Sequence, residues 1–283
     1  MYHFPIGILL DSLKMDTRPA LEKAAQLGVK GLQLYATIGA YSPERMNAAA
    51  RRELLDMVKS NGLVFSALCG DLGKGFGSRE KNPALLERSK RILDLAKELE
   101  TNVVTTHIGV VPADPAHERY QIMQEACFEL SGYADSLGAH FAIETGPEAP
   151  EVLKGFLDGL HSKGVAVNYD PANLVMVIGS DAAKGVHVLK DYIVHTHAKD
   201  GKQLFYKDPE MIYGVTEEVI ITGDSFLEVP LGAGDVHFDS YLAALDEIGY
   251  RGFLTIEREC GDNPVADIEM AVRFLNDSIE KEK

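Results

Sequence analysis

The run Val194-His195-Thr196-His197-Ala198-Lys199-Asp200 places two imidazoles, an ammonium and a carboxylate within six residues at the end of a β-branched stretch. Three further apolar runs end in an acid: Phe141-Ala142-Ile143-Glu144, Val165-Ala166-Val167-Asn168-Tyr169-Asp170 and Phe253-Leu254-Thr255-Ile256-Glu257. If these runs are parallel neighbours in a closed sheet, Glu144, Asp170, His197 and Glu257 converge on one mouth. Three carboxylates and one imidazole then form a site for a divalent cation, because hard oxygen donors with a single nitrogen suit such ions. The set favours Mn²⁺ first, with Mg²⁺ or Co²⁺ next and Zn²⁺ admissible, over a closed thiolate zinc site.

Each acid alone could instead cap a helix, where a carboxylate accepts free backbone amides. Four coordinating groups ending four successive strands weigh against that reading for the set. Thr145-Gly146-Pro147 and Pro171-Ala172-Asn173 suit tight exits that leave Glu144 and Asp170 at the rim. His195, two residues before His197, shares its face but lies deeper, so it reads as a supporting or packed histidine. His107 also ends a strand, and a substrate contact competes there with a buried hydrogen-bonded role. Lys199 and Asp200 could pair with each other. Alternation turns Glu259 rather than Arg258 toward a pocket, and Cys260 reads as an inert thiol. His237 more naturally begins a helix than pairs with Asp235 around a metal.

The elements that must position these groups recur in a regular order. Strands are read at 4–10, 32–35, 63–68, 103–106, 140–143, 165–169, 192–196 and 252–256. Helical spacing separates them at 19–27, 42–60, from 82 onward, 116–137, 152–163, 181–189, 237–248 and 264–279. Ser42-Pro43-Glu44-Arg45 looks like a helix start with proline in its first turn. The four glycines in 69–77 suggest a mobile or close-approach loop, and no helix directly follows them as a phosphate cradle requires. Eight strand-helix units describe a (β/α)8 TIM barrel, an α/β fold whose polar strand ends gather on one catalytic face. An open doubly wound sheet would carry a glycine-rich turn after its first strand, and Gly7-Ile8-Leu9-Leu10-Asp11 lacks one. We expect one domain over 1–283, with a lid-like insertion or hairpin at about 201–235 containing Leu204-Phe205-Tyr206 and Val219-Ile220-Ile221-Thr222. Phe205, Tyr206, Met211 and Tyr213 there would close the pocket or pack on a second subunit of a homo-oligomer.

A formal charge of -15 and a pI near 5.0 work against binding nucleic acid or anionic membranes, which needs Lys and Arg to neutralise phosphate. No apolar run approaches the roughly 18 residues of a membrane span. The scattered Cys69, Cys127 and Cys260 form no disulfide framework. The N-terminal apolar run lacks a preceding positive residue and a small-residue cleavage pattern. A cytoplasmic protein without membrane or nucleic-acid partners is expected.

Ala142-Ile143-Glu144, Tyr169-Asp170-Pro171-Ala172-Asn173-Leu174, His195-Thr196-His197-Ala198-Lys199-Asp200, Pro230-Leu231-Gly232-Ala233-Gly234-Asp235-Val236 and Ile256-Glu257-Arg258-Glu259 together resemble the sugar phosphate isomerase/epimerase family with its xylose isomerase-like barrel. The resemblance covers nearly the whole chain. It implies that Glu144, Asp170, His197 and Glu257 bind one divalent cation and that Glu144 and Glu257 also act as acid and base. The implied reaction is isomerisation or epimerisation of a small sugar, by proton removal next to a carbonyl through an enediolate. His107, Asn173 and Lys199 are the candidate substrate-binding residues. Asn173 stands where the epimerase branch tends to have a substrate-binding histidine, and Ala198-Lys199-Asp200 replaces that branch's Gly-Glu pattern ending in arginine. Dehydratases acting on keto-sugars or keto-cyclitols share the family and form the first alternative. Apurinic endonucleases form the second, although their three-metal cluster uses additional histidines where this chain has Cys69 and Asn173.

Overall fold

The computed structural model describes residues 1–73, 75–216 and 223–281. Its strands are β1 (Ile6–Leu9), β2 (Gly31–Tyr35), β3 (Val64–Cys69), β4 (Val103–Thr106), β5 (His140–Glu144), β6 (Val165–Tyr169), β7 (Ile193–Ala198), β8 (Asp200–Gln203), β9 (Phe226–Val229) and β10 (Leu254–Ile256). The helices are α1 (Thr17–Gln26), α2 (Ala48–Ser60), α3 (Asn82–Glu98), α4 (Glu118–Leu137), α5 (Pro150–Asp158), α6 (Pro171–Ile178), α7 (Ala182–Leu189), α8 (Pro209–Ile212), α9 (Phe238–Glu247) and α10 (Pro264–Glu280). Strands β1 to β7 and β10 run parallel and close into a barrel, with β10 pairing β1 through Ile6 and Leu254. This is the expected (β/α)8 architecture.

The strand sequences explain the layering. Phe141, Ile143, Val165 and Val167 point outward into the large core shared with the helices. Ala67, Val103 and Ala142, with Val194 against them, form a separate small apolar cluster. Opposite faces of each strand thus serve different surroundings, as two-residue periodicity requires. At β6–β7 the register steps from Val167↔Ile193 to Asn168↔His195. The extra residue, Val194, is a bulge that brings His195 level with Asn168.

Three local readings change. Residues 42–45 lie in turns, and the helix begins at Ala48, where the Asn47 side chain accepts from the amides of Ala49 and Ala50. A side-chain cap satisfies two free amides there, which the proline in the preceding turn cannot do. The exit after Asp170 is α6 itself, capped by Asp170, so its carboxylate is fully buried rather than at the rim. The insertion does contain a hairpin, but its strands are β8 and β9, paired antiparallel from Asp200↔Val229 to Gln203↔Phe226. Residues 204–206 lie beyond β8, and 219–222 lie outside the described residues.

Asp200 does not pair with Lys199. Its carboxylate accepts from the amides of Gly201, Gly232, Gly234 and Val236 at 2.9–3.1 Å. It thereby ties the start of the hairpin's first strand, β8, to the segment that leads into α9. Gly234 permits this approach, since a Cβ there would lie 2.0 Å from Asp200 Oδ1. Asp200→Ala leaves several amides without their shared acceptor and should lower the unfolding free energy by about 2–4 kcal/mol. Urea denaturation followed by circular dichroism measures this loss.

Candidate metal centre

Glu144 at the end of β5, Asp170 just after β6, His197 in β7 and Glu257 just after β10 meet at the C-terminal mouth of the barrel. One donor atom from each lies within 4.8 Å of the others, and all four residues are buried. Nδ1 of His197 is 3.2 Å from Asp170 Oδ2, 3.3 Å from Glu257 Oε2 and 3.7 Å from Glu144 Oε1. A single ring nitrogen can offer only one proton to three acids. A divalent cation fits this oxygen-rich set in a way that one proton does not.

The tautomer needed for coordination is prepared from the other side of the ring. His197 Nε2 lies 2.9 Å from Gln33 Oε1. Gln33 in turn donates through Nε2 to Thr105 Oγ1 at 2.8 Å, whose hydroxyl faces the carbonyl of Leu68. This chain assigns the amide oxygen of Gln33 to His197, places a proton on His197 Nε2 and leaves the Nδ1 lone pair for the cluster. A second set of contacts orients the acids. Asn168 donates to Glu144 Oε2 at 3.1 Å, and its Oδ1 lies 2.8 Å from His195 Nδ1. His195 Nε2 reaches Thr255 Oγ1 at 2.9 Å. Burial, joined by the charge of His197, pushes the His195 pKa well below the ordinary imidazole range. His195 is therefore a neutral link in a hydrogen-bonded chain across the barrel interior.

Asn173, in the first turn of α6, donates to Glu144 Oε1 at 2.9 Å. It can approach because residue 146 lacks a side chain: a Cβ on Gly146 would sit 2.7 Å from Asn173 Cβ. His107 places Nδ1 3.2 Å from Asp71 Oδ2 and Nε2 3.7 Å from Glu144 Oε1. Burial opposes its protonation, but Glu144 and Asp71 outweigh burial and raise the pKa to about 9. Lys199 is buried and donates to Glu257 Oε2 at 2.9 Å and Glu259 Oε2 at 2.5 Å. Burial disfavours ionisation of Glu257, and Lys199 and His197 reverse that, lowering its pKa. Among the described residues Glu144 has no ammonium within ion-pair distance, and burial raises its pKa.

His107, Asn173 and Lys199 all line one cavity with Glu144 and Glu257, of about 610 Å³. Met211 and Tyr213 of the insertion also line it, whereas Phe205 and Tyr206 face solvent. Glu259 lines the cavity, and Arg258 is turned away to pair with Glu228 and Asp267. Sequence reasoning missed Gln33, Asp71, Thr105, Asn168 and Thr255. A usable signal existed for two of them: Asn168 precedes Asp170 by two residues and Thr255 precedes Glu257 by two, the same phase that marked His195.

A family model described as xylose isomerase-like TIM barrel matches residues 21–278. The chain belongs to that family. Among solved structures of the same fold is a xylose isomerase domain protein from Planctomyces limnophilus, 24% identical with a TM-score of 0.79, the match covering 98% of this chain and 97% of that one. The probable 3-DHS dehydratase AsbF from Bacillus anthracis is 16% identical with a TM-score of 0.75, covering 96% and 99%. A D-psicose 3-epimerase, solved in the presence of D-fructose, is 15% identical with a TM-score of 0.72, covering 99% and 100%. This xylose isomerase-like chain thus has both epimerase and dehydratase structural neighbours. No helix among the described residues is long and apolar enough to cross a membrane.

Beside this centre, Glu148 is buried, and its carboxylate accepts from the Val111 amide at 3.2 Å. Burial raises its pKa from 4.5 to about 8, against smaller lowering by that amide and His107. The folded state therefore keeps a proton that the unfolded chain releases, so stability falls as pH rises from the unfolded value through the folded one. Glu148→Gln retains the acceptor and removes this penalty. Its melting temperature should exceed that of the parent by a margin that widens between about pH 5 and about pH 8. Differential scanning calorimetry across that range checks the trend.

Proposed function

We propose that this protein is a divalent-metal-dependent sugar isomerase or epimerase that removes a proton next to a carbonyl and passes through an enediolate. The observation that carries this reading is the convergence of Glu144, Asp170, His197 and Glu257, with donor atoms within 4.8 Å, in a cavity that also admits a small molecule. One cation, Mn²⁺ by preference for an oxygen set with one nitrogen, would be held by these four residues. When bound it supplies Lewis acidity toward a carbonyl oxygen and a neighbouring hydroxyl.

The chain's own groups do the proton transfer. Glu144 and Glu257 extend from β5 and β10, which are three positions apart around the ring, and so approach a substrate from different sides. One removes a proton from carbon, and the other returns a proton to the opposite face or to the adjacent carbon. Asn168 and Asn173 fix the two oxygens of Glu144, and Lys199 fixes Glu257. This orientation is what general acid-base catalysis requires of paired carboxylates. His107, held by Asp71, and Asn173 meet substrate hydroxyls. Lys199 contacts the substrate from between Glu257 and Glu259. The described parts of the insertion, 201–216 and 223–235, act as a lid on a single barrel domain.

Loss of a β-hydroxyl after the same proton removal would make the chain a dehydratase on a keto-sugar or keto-cyclitol. Two features weigh against an apurinic endonuclease. The metal-ligand groups among the described residues form a single cluster of four, and the chain's charge of -15 repels phosphate.

Proton NMR in D₂O with a panel of ketoses, inososes and hydroxyketones tests the chemistry. Mn²⁺-dependent deuterium incorporation next to a carbonyl is expected, with Glu144→Gln and Glu257→Gln each slowing it by about 10²–10⁴-fold. Failure to incorporate deuterium across the panel, in protein shown to hold metal, would overturn the reading. Gln33→Leu removes the acceptor that sets the His197 tautomer. It should weaken Mn²⁺ binding by about 10–100-fold in a chelator competition while the fold is retained.

A further inference from the structure

The insertion brings apolar and polar side chains alike to the cavity, Met211 and Phe226 beside Lys207, Asp224 and Tyr213. Glu228 of the hairpin serves the Glu257 side, 3.9 Å from Lys199 and paired with Arg258. Tyr213 serves the Glu144 side. A Cβ on Gly146 would stand 3.2 Å from the Tyr213 hydroxyl oxygen and 2.7 Å from Asn173 Cβ. The phenol therefore ends over the same glycine that admits Asn173 to Glu144. Its ring centroid is 6.0 Å from that of His107, at an interplanar angle of 41°. His107, Asn173 and Tyr213 thus gather beside one carboxylate.

The chain holds the phenol there by several ties. Tyr213 closes α8, and its amide donates to Pro209 O at 2.9 Å. At the start of that turn the Asp208 side chain accepts from the Glu210 amide at 2.8 Å. After it the chain folds back at Gly214, φ +67°, and the Val215 amide reaches Glu210 O at 2.7 Å. The Glu210 carboxylate also pairs with Arg119 of α4, which fastens the turn to the barrel's outer layer.

What this turn presents to the cavity is a hydroxyl with open valences. Among the described residues the Tyr213 hydroxyl has no hydrogen-bond partner, whereas both oxygens of Glu144 already accept amide protons. Burial, joined by the carboxylates of Glu144 and Glu148, raises the Tyr213 pKa. The group stays a neutral phenol, able to give one hydrogen bond and accept another. Tyrosine hydroxyls in such surroundings normally find a partner, and the side open to this one is the cavity.

Given the proposed sugar chemistry, on which this rests, we infer that Tyr213 is a substrate-contacting residue that sets specificity. Its hydroxyl, with His107 beside it, takes a substrate hydroxyl on a carbon beyond the carbonyl and its neighbour. The carbonyl oxygen and the adjacent hydroxyl belong to the metal centre, and Tyr213 makes no hydrogen bond to any of the four side chains that form it. The insertion then measures the length of the sugar as well as covering it.

Isothermal titration calorimetry on the Mn²⁺-loaded protein tests this with a chain-length series: dihydroxyacetone, L-erythrulose, D-xylulose and D-fructose. In the parent, affinity should rise by about three- to tenfold at one step of the series, the size of one net hydrogen bond. Tyr213→Phe keeps the ring and should cut that step to less than about twofold, while dihydroxyacetone, too short to reach the phenol, binds as before. A loss by the same factor for all four ketoses would mark a packing role, and no loss for any would mark no contact. Either result overturns the inference, as does a parent that binds the four alike. A step that depends on Tyr213 in a protein that exchanges no proton upholds the contact and counts against the isomerase chemistry alone. Exchange that proceeds while the step survives Tyr213→Phe counts against the contact alone.

Discussion

Three carboxylates, those of Glu144, Asp170 and Glu257, crowd one imidazole nitrogen of His197 in a buried site at the floor of the cavity. Like charges at such separations repel strongly once water is excluded, and burial of each adds a desolvation cost. Much of the barrel interior is arranged around that constraint. Hydrogen bonds from Asn168 and Asn173 hold Glu144, α6 begins so that its free amide meets Asp170, and Lys199 sits against Glu257. A divalent cation is the natural completion of such a set.

The constraint propagates outward. Lys199 can stay charged while buried because Glu257 and Glu259 flank it, with Glu228 3.9 Å away. Glu228 belongs to the hairpin and also binds Arg258, which reaches Asp267 of α10. One line of alternating charges therefore runs from the candidate metal centre through the hairpin to an outer helix. The hairpin is tied to Glu257 and Glu259 by this line, and the insertion brings both apolar and charged side chains, Met211 and Phe226 beside Asp224 and Glu228, to the cavity wall.

The interior network has a second consequence. His195, Asn168, Gln33, Thr105 and Thr255 are buried polar residues on barrel strands, and their side chains are satisfied mainly by one another or by strand carbonyls. Such a network fixes ring and amide orientations that isolated polar residues would leave variable. Asn173 shows how a site can change within the family's frame. The position that the resemblance associates with a substrate-binding histidine here holds a shorter amide directed at Glu144.

The order of the barrel strands and the residues that end them, Glu144, Asp170, His197 and Glu257 among them, were legible in the sequence. Strand-helix alternation is a local pattern, and an acid or histidine ending an apolar run stands out against it. Hairpin formation within 201–235 was legible, but its strand limits were not, since β8 begins at Asp200, inside what reads as the tail of the strand before it. Partner choice was not legible. Lys199 and Asp200 are adjacent in sequence yet serve different ends, one reaching Glu257 and the other gathering amides from 201 to 236. Gln33 is far from His197 in the chain, and only barrel closure brings the two within 2.9 Å. The sequence by itself determined which side chains end the strands, because that depends on residue type and a period of two. Tertiary structure alone decided which of those side chains touch, because contact depends on closure, on the bulge at Val194 and on the path of the insertion.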